Sequence, residues 1–249
     1  MKALRATTRL MHGLVHALAG WCTILFVFPR LSQAQRNSRV NTWARRMLQI
    51  LGIELRLLGT PAAHGPMLLV ANHISWLDIL VMHAARHCRF VSKSDVEHWP
   101  LIGTLATGAG TLYIERESRR HVMRVVHHMA QALRAGDVLA IFPEGTTSDG
   151  LALLPFHANL VQAAISAQAP VQPVALSFVD CASGGITTAA RYVGDETLVG
   201  SLWRTLTAPP LAAVVAFGEP QSAEGRDRRA WAAALRASVS RLRDSSLAG

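Results

Sequence analysis

The 249-residue chain is 50% hydrophobic and 16% charged, which excludes a disordered polypeptide and leaves room for one sizeable core plus an appendage. Its three cysteines, Cys22, Cys88 and Cys181, are odd in number and far apart, so they suggest neither a disulfide framework nor a zinc knuckle, and a reducing compartment is the simplest setting. The net charge of +9 argues for an anionic surface but against nucleic acid, because the excess sits at one end of the chain.

That end comes first. Before Glu54 there is no acidic residue, whereas Lys2, Arg5, Arg9, Arg30, Arg36, Arg39, Arg45 and Arg46 all fall there; beyond it acids and bases nearly balance. Such a patch fits anionic lipid headgroups, each nearby Lys or Arg contributing roughly 1 kcal/mol. Leu10 to Pro29 contains no Asp, Glu, Lys or Arg. As a helix this segment is about 30 Å long, just enough to span a bilayer. His12, Gly13, His16, Gly20 and Thr23 dilute it and bases flank both ends, so insertion in one leaflet is equally open. A secretory signal peptide is the competing reading, with Lys2, Arg5 and Arg9 as its basic start and Ser32 and Ala34 near a small-residue cleavage site. It would send the chain where thioester donors are scarce. From Val40 to Leu51, a helical wheel gathers Val40, Trp43, Met47, Ile50 and Leu51 opposite Arg45, Arg46 and Gln49, the pattern of an interfacial helix or of an amphipathic helix packed on a core. The charged flanks favour the membrane, so residues 1–51 are expected to form membrane-associated helices ahead of a catalytic domain over 52–249.

After Gly52 short apolar runs alternate with helical stretches. Strands are predicted at Ile53 to Leu58, Met67 to Ala71, Arg89 to Ser92, Thr111 to Ile114, Val138 to Phe142, Val171 to Phe178 and Leu211 to Phe217. The clearest helix is Arg119 to Ala135, with Val122, Val125, Val126, Met129 and Leu133 in one stripe and Gly136 as its stop. A last helix, Asp227 to Arg243, carries Trp231, Leu235, Val239 and Leu242 on one side. The alternation implies an α/β fold, a mixed or largely parallel sheet flanked by helices.

Two strand ends carry the chemistry, at the carboxyl edge where α/β sheets bind ligands. The first is Met67 to Ala71 running into Asn72, His73, Ile74, Ser75, Trp76, Leu77 and Asp78. On one continuous helix His73 and Asp78 would lie roughly 140° apart and could not meet. A helix that starts after the histidine, with Ser75 as N-cap, puts Asp78 in its first turn, where the carboxylate can turn back to the imidazole. There it fixes the tautomer and stabilises the imidazolium formed when the other nitrogen takes a proton. The same residues also read as a simple capping box, with Asp78 satisfying the helix start. The second end is Val138 to Phe142 followed by Pro143, Glu144, Gly145, Thr146, Thr147, Ser148, Asp149 and Gly150. These are turn residues, and a Glu beside a Gly at a strand end can also bond a substrate hydroxyl.

Four strings fall in order. They are Asn72-His73 with Asp78 after four intervening residues, Gly110-Thr111-Leu112-Tyr113-Ile114-Glu115-Arg116, Phe142-Pro143-Glu144-Gly145-Thr146, and Val171-Gln172-Pro173-Val174-Ala175. Together they resemble the four blocks of the 1-acylglycerol-3-phosphate (lysophospholipid) acyltransferase family over about residues 50–220. The resemblance implies that His73 is the catalytic base and Asp78 its orienting partner. It also implies that Arg116 and the Glu144, Gly145, Thr146 segment hold the acceptor lipid, with Asn72 and Ser75 in support. In that family the acyl group passes directly from thioester to hydroxyl, and this chain has no G-x-S-x-G elbow and no cysteine–histidine nucleophile motif. A thioester is already activated, so neither a cofactor nor a metal is required, and the 11 histidines include no H-E-x-x-H.

One departure bears on the acceptor. Members that act on lysophosphatidic acid commonly have Arg after Glu-Gly-Thr; here Thr147 stands there, followed by Ser148 and Asp149, and a guanidinium is the natural phosphate partner. The string from Phe142 to Gly150 looks like the branch that acylates lyso-ornithine lipid, whose headgroup lacks phosphate. Arg116 and Lys93 remain available for a phosphate, although Lys93 equally reads as a solvated surface lysine. The expected activity is therefore 1-acyl-sn-glycerol-3-phosphate O-acyl transfer from acyl-carrier protein or coenzyme A thioester, with lyso-ornithine lipid as the alternative acceptor. The expected place is the cytoplasmic side of the inner membrane. Two rivals from other classes are a non-catalytic lipid-binding protein and a secreted nucleic-acid binder, which turnover and the mass of the mature chain separate.

Overall fold

Two helices precede the sheet in the computed structural model, which describes residues 2–114 and 119–247. Helix α1 (Lys2–Phe26) begins well before the apolar run, because no Gly or Pro interrupts the chain ahead of Gly13. Helix α2 (Gln33–Leu51) opens on a capping box between Ser32 and Gln35 and stops at Gly52, which takes the left-handed conformation with φ 73°. The two helices meet along a seam of small residues, Ala6, Gly13 and Gly20, all buried on α1. A Cβ on Gly20 would lie 2.5 Å from Trp43 Nε1, so the residues that dilute the apolar run are those that permit the close approach.

One alternative left open at this end finds no support, and one expectation is corrected. Among the described residues no helix is long and apolar enough to cross a membrane. The α2 face expected at an interface is turned inward instead: Val40, Ala44, Met47, Leu48 and Leu51 are buried, and Trp43 stacks on His16 of α1 with ring centroids 5.3 Å apart. Burying that stripe under α1 and on the core removes it from any lipid. The apolar surface left outside belongs to α1, where Leu4, Met11, Leu14, Val15, Leu18, Leu25 and Phe26 are exposed.

The strands are β1 (Ile53–Leu58), β2 (Met67–Ala71), β3 (Arg89–Lys93), β4 (Leu112–Ile114), β5 (Val138–Ile141), β6 (Val171–Asp180) and β7 (Leu211–Phe217). Among the described residues they form one sheet in the order β1-β7-β6-β2-β5-β3-β4. Every pairing is parallel except β6 with β7, so the sheet is mixed, as the alternation of elements implies. The helices between them are α3 (Leu77–Ala85), α4 (Ile102–Gly108), α5 (Arg119–Arg134), α6 (Gln162–Ala167), α7 (Leu198–Thr207) and α8 (Arg228–Leu247). Side chains alternate across each strand, so β2 sends Met67, Leu69 and Ala71 to a core shared with α2, α3 and α7. Leu68 and Val70 go to the opposite core with α5, α6 and α8. A strand covered on both faces is apolar throughout, and β2 is buried from end to end.

Candidate active site

Strand β2 lies between β5 and β6, so the residues after Ala71 emerge at the carboxyl edge near the middle of the sheet. Asn72 secures the exit. Its Nδ2 donates to the Leu176 carbonyl at 3.0 Å and its Oδ1 accepts from the Leu176 N–H at 2.8 Å, a side chain standing in for one more backbone pair with β6. His73 then leaves the strand with its main chain held from the other side, by the loop that follows β5. Its N–H donates to Glu144 Oε1 at 3.3 Å, and its carbonyl accepts from the Ser148 N–H at 2.8 Å and the Ser148 hydroxyl at 3.1 Å.

The imidazole and the carboxylate do meet. Asp78 Oδ2 accepts from His73 Nδ1 at 2.8 Å, from the Ile74 N–H at 2.6 Å and from the Ser75 N–H at 2.9 Å. Asp78 is fully buried, while the His73 side chain keeps 19% of its surface exposed. The Nδ1 proton is thereby committed to the carboxylate, which leaves the Nε2 lone pair to accept one. Helix α3 starts two residues past Ser75, with Trp76 as its cap residue: the carboxylate takes the Ile74 and Ser75 N–H groups ahead of the helix, and the Ser75 hydroxyl is left with the first helical N–H. Ser75 Oγ accepts only from the Leu77 N–H, at 3.2 Å, and the residue is buried.

The loop after β5 turns sharply at Gly145, whose φ is 74° and whose N–H donates to the Phe142 carbonyl at 3.1 Å. The turn folds Glu144 inward, where it is 3% exposed and leaves Oε2 without a hydrogen-bond partner among the described residues. Burial pushes its carboxyl up to about 7, against the pull of the His73 N–H. The negative charge of Asp78 raises it further and Arg236 opposes the rise.

The residues expected to hold substrate divide. Gly145 and Thr146 are exposed on the loop. Asn72, Ser75 and Glu144 are buried and their hydrogen bonds go to the protein's own backbone. Thr147 donates its hydroxyl to the Tyr192 carbonyl, and the Tyr192 N–H in turn donates to the Ile74 carbonyl at 3.0 Å, so a segment after β6 ties the two loops together. Arg116 and the Lys93 side chain lie outside the described residues. Three contributors carried no assigned role in the sequence reading: Ser148, Tyr192 and Phe142, whose ring stacks on His73. Only adjacency of β5 to β2 could have revealed Phe142 and Ser148, and only the fold-back of the segment after β6 could have revealed Tyr192. A small cavity of about 10 Å³ lies beside Ile74, between Gly150, Ser177, Phe178 and Ile186. A larger groove of about 360 Å³, lined by Gln162, Ile165 and Arg226 to Arg229, borders the start of α8 and does not touch these residues. Among the described residues no three His, Cys, Asp or Glu side chains gather as a metal site would require.

The arrangement has counterparts. The family model described as Acyltransferase matches residues 53–177. The lyso-ornithine lipid O-acyltransferase of Pseudomonas aeruginosa is 36% identical over 233 residues, covering 92% of this chain and 88% of its own length. The 1-acyl-sn-glycerol-3-phosphate acyltransferase of Neisseria meningitidis serogroup B is 39% identical over 198 residues, covering 78% of this chain and 76% of its own. The crystal structure of the 1-acyl-sn-glycerophosphate (LPA) acyltransferase of Thermotoga maritima superposes with a TM-score of 0.64 over 94% of this chain and 97% of that one; at 18% identity the likeness is one of fold. With this kinship over most of its length, the chain belongs to the acyltransferase family, related to the 1-acylglycerol-3-phosphate and lyso-ornithine lipid acyltransferases, and is an acyl-transfer enzyme.

Proposed function

We propose that the protein transfers a fatty acyl group from an acyl-carrier protein or coenzyme A thioester to the hydroxyl of lyso-ornithine lipid, with His73 as general base. Nε2 takes the proton of the acceptor hydroxyl as its oxygen attacks the thioester carbonyl. The tetrahedral adduct collapses with cleavage of the carbon–sulfur bond, and the leaving thiolate recovers the proton from the imidazolium. Asp78 holds the ring and balances its transient charge. The observation that carries this chemistry is the 2.8 Å bond from Nδ1 to a fully buried carboxylate.

The acceptor is argued from Thr147. At this position a guanidinium would meet a phosphate; the threonine hydroxyl is instead spent on the Tyr192 carbonyl, so this position offers a headgroup neither charge nor a free donor. The similarity to the Pseudomonas aeruginosa enzyme over 92% of the chain points the same way. Lysophosphatidic acid, the first expectation from the motifs, therefore becomes the second reading. The test is kcat/KM for both acceptors with one purified donor. We expect lyso-ornithine lipid to be favoured by at least about tenfold, and His73→Ala to lower turnover by about 10²- to 10⁴-fold. A preference for lysophosphatidic acid would return the acceptor to the phosphate class.

The site of action is the cytoplasmic side of the inner membrane, with α1 lying in one leaflet. Support comes from the exposed Met11, Leu14, Val15, Leu18, Leu25 and Phe26 on a helix flanked by bases and free of acids. Acyl thioesters are cytoplasmic and the single-chain acceptor is a membrane lipid, so an enzyme that joins them works at that boundary.

A further inference from the structure

We propose that Phe142 is a positioning residue for the reaction: its ring is the platform that fixes the plane of the His73 imidazole and faces the positive charge which that ring acquires during transfer. The two rings are nearly coplanar in orientation, 5° apart, with centroids separated by 4.0 Å, a face-to-face contact close to van der Waals distance. A hydrogen bond to Asp78 fixes one ring nitrogen but leaves the imidazole free to rock about that bond. A flat wall on one face removes this freedom and holds Nε2 to one line.

The wall is itself held. The Phe142 carbonyl accepts the Gly145 N–H, so the residue is locked into the turn that also folds Glu144 inward. Its ring stacks on Phe90 with centroids 5.6 Å apart and planes 20° apart, and Phe90 takes the edge of His83 at 5.1 Å and 81°. His83 and its neighbour His87 are held uncharged by burial, their imidazoles pushed down to about 3 and about 4. The far end of this ladder therefore places no positive charge beneath the ring that becomes an imidazolium. An aromatic face within about 6 Å of a cation attracts it through the ring quadrupole, so the platform favours the charged form that proton transfer creates.

This role rests on His73 being the base, and the experiment separates the two. Wild type, Phe142→Leu, Phe142→Tyr and Phe217→Leu are assayed for thiol release with purified acyl thioester and lysolipid. Phe217, buried at the end of β7, serves as a match for lost core packing without contact to the imidazole. We expect Phe142→Leu to lower kcat by about 10- to 100-fold with KM for both substrates within roughly twofold of wild type. Phe142→Tyr, which keeps the ring, stays within about threefold in kcat, as does Phe217→Leu despite its lower melting temperature. The His73 ring-proton resonances, displaced upfield by the stacked phenyl in wild type and in Phe142→Tyr, move downfield in Phe142→Leu. Wild-type kcat in Phe142→Leu, a loss confined to KM, an equal loss in Phe217→Leu, or unmoved resonances each overturn the platform. Absence of turnover in wild type with either acceptor overturns the function, and the platform's role with it.

Discussion

Replacing Asp78 by Asn isolates the charge from the geometry. One oxygen, Oδ2, accepts all three hydrogen bonds, from His73 Nδ1 and from the N–H groups of Ile74 and Ser75. The amide oxygen of Asn can occupy the same place and keep all three, so the loop and the tautomer survive. What disappears is the negative charge opposite the imidazolium. At an effective dielectric of about 20 and a charge separation of about 4 Å, that attraction is worth about 4 kcal/mol, or about 10³-fold in rate. Stability also changes. Three bonds to a charged acceptor become neutral ones at about 1 kcal/mol each, and the new NH₂ occupies the buried Oδ1 position, which has no partner among the described residues. Relief from burying a charge offsets part of this, for a net loss of about 2–4 kcal/mol. The assay is thiol release at a temperature where circular dichroism shows Asp78→Asn folded. Turnover within about tenfold of wild type would refute the argument, because it would mean that the carboxylate acts only as a helix cap.

Three other perturbations test separate parts of the structure. Glu144 titrates near 7 when folded and near 4.5 when unfolded, so the folded state keeps a proton that the unfolded state releases. Its stabilising contribution is complete below pH 4.5 and is lost as the pH rises through about 7. Discounted for screening, the loss amounts to about 1–2 kcal/mol, and Glu144→Gln removes it; stability curves of the two proteins that run parallel from pH 5 to pH 8 would contradict the assignment. Asn72→Ala strands the N–H and carbonyl of Leu176 in the core, and urea denaturation should register about 3 kcal/mol, with a loss below about 1 kcal/mol refuting the tether. Leu14→Glu with Leu18→Glu places two charges on the outer face of α1, and flotation with vesicles containing anionic lipid should fall at least about tenfold; undiminished binding would remove α1 from the interface.

Much of the fold was legible because burial writes itself locally. A strand covered on both faces must be apolar throughout, and β2 and β7 begin and end where the apolar runs do. Direction was not legible: β7 runs antiparallel to β6 although it is a buried apolar run like β2, which pairs with β6 in parallel. The reading of α2 identified the right kind of stripe and the wrong partner, since an amphipathic face is the same whether lipid or α3 covers it. Gly13 and Gly20 looked like defects in an apolar run, and only the second helix turns them into a seam.

The site divides along the same line. His73 and Asp78 lie five residues apart, so a helix start between them is enough to bring nitrogen and oxygen to 2.8 Å, and local rules contain that information. Phe142 reaches His73, and Thr147 reaches Tyr192, across long stretches of chain, by virtue of β5 lying beside β2 and of the segment after β6 folding back. The proposed proton-transfer pair is therefore a property of one loop. The Phe142 ring stacked on His73 and the Thr147 hydroxyl bonded to Tyr192 are properties of strand order, set by a sheet that short-range patterns do not specify. Substitutions at His73 or Asp78 should act alike in any backbone that keeps the loop. Those at Phe142 and Thr147 depend on strand order, so on the proposed reading the contact of Thr147 with the acceptor can change while the His73–Asp78 pair stays fixed.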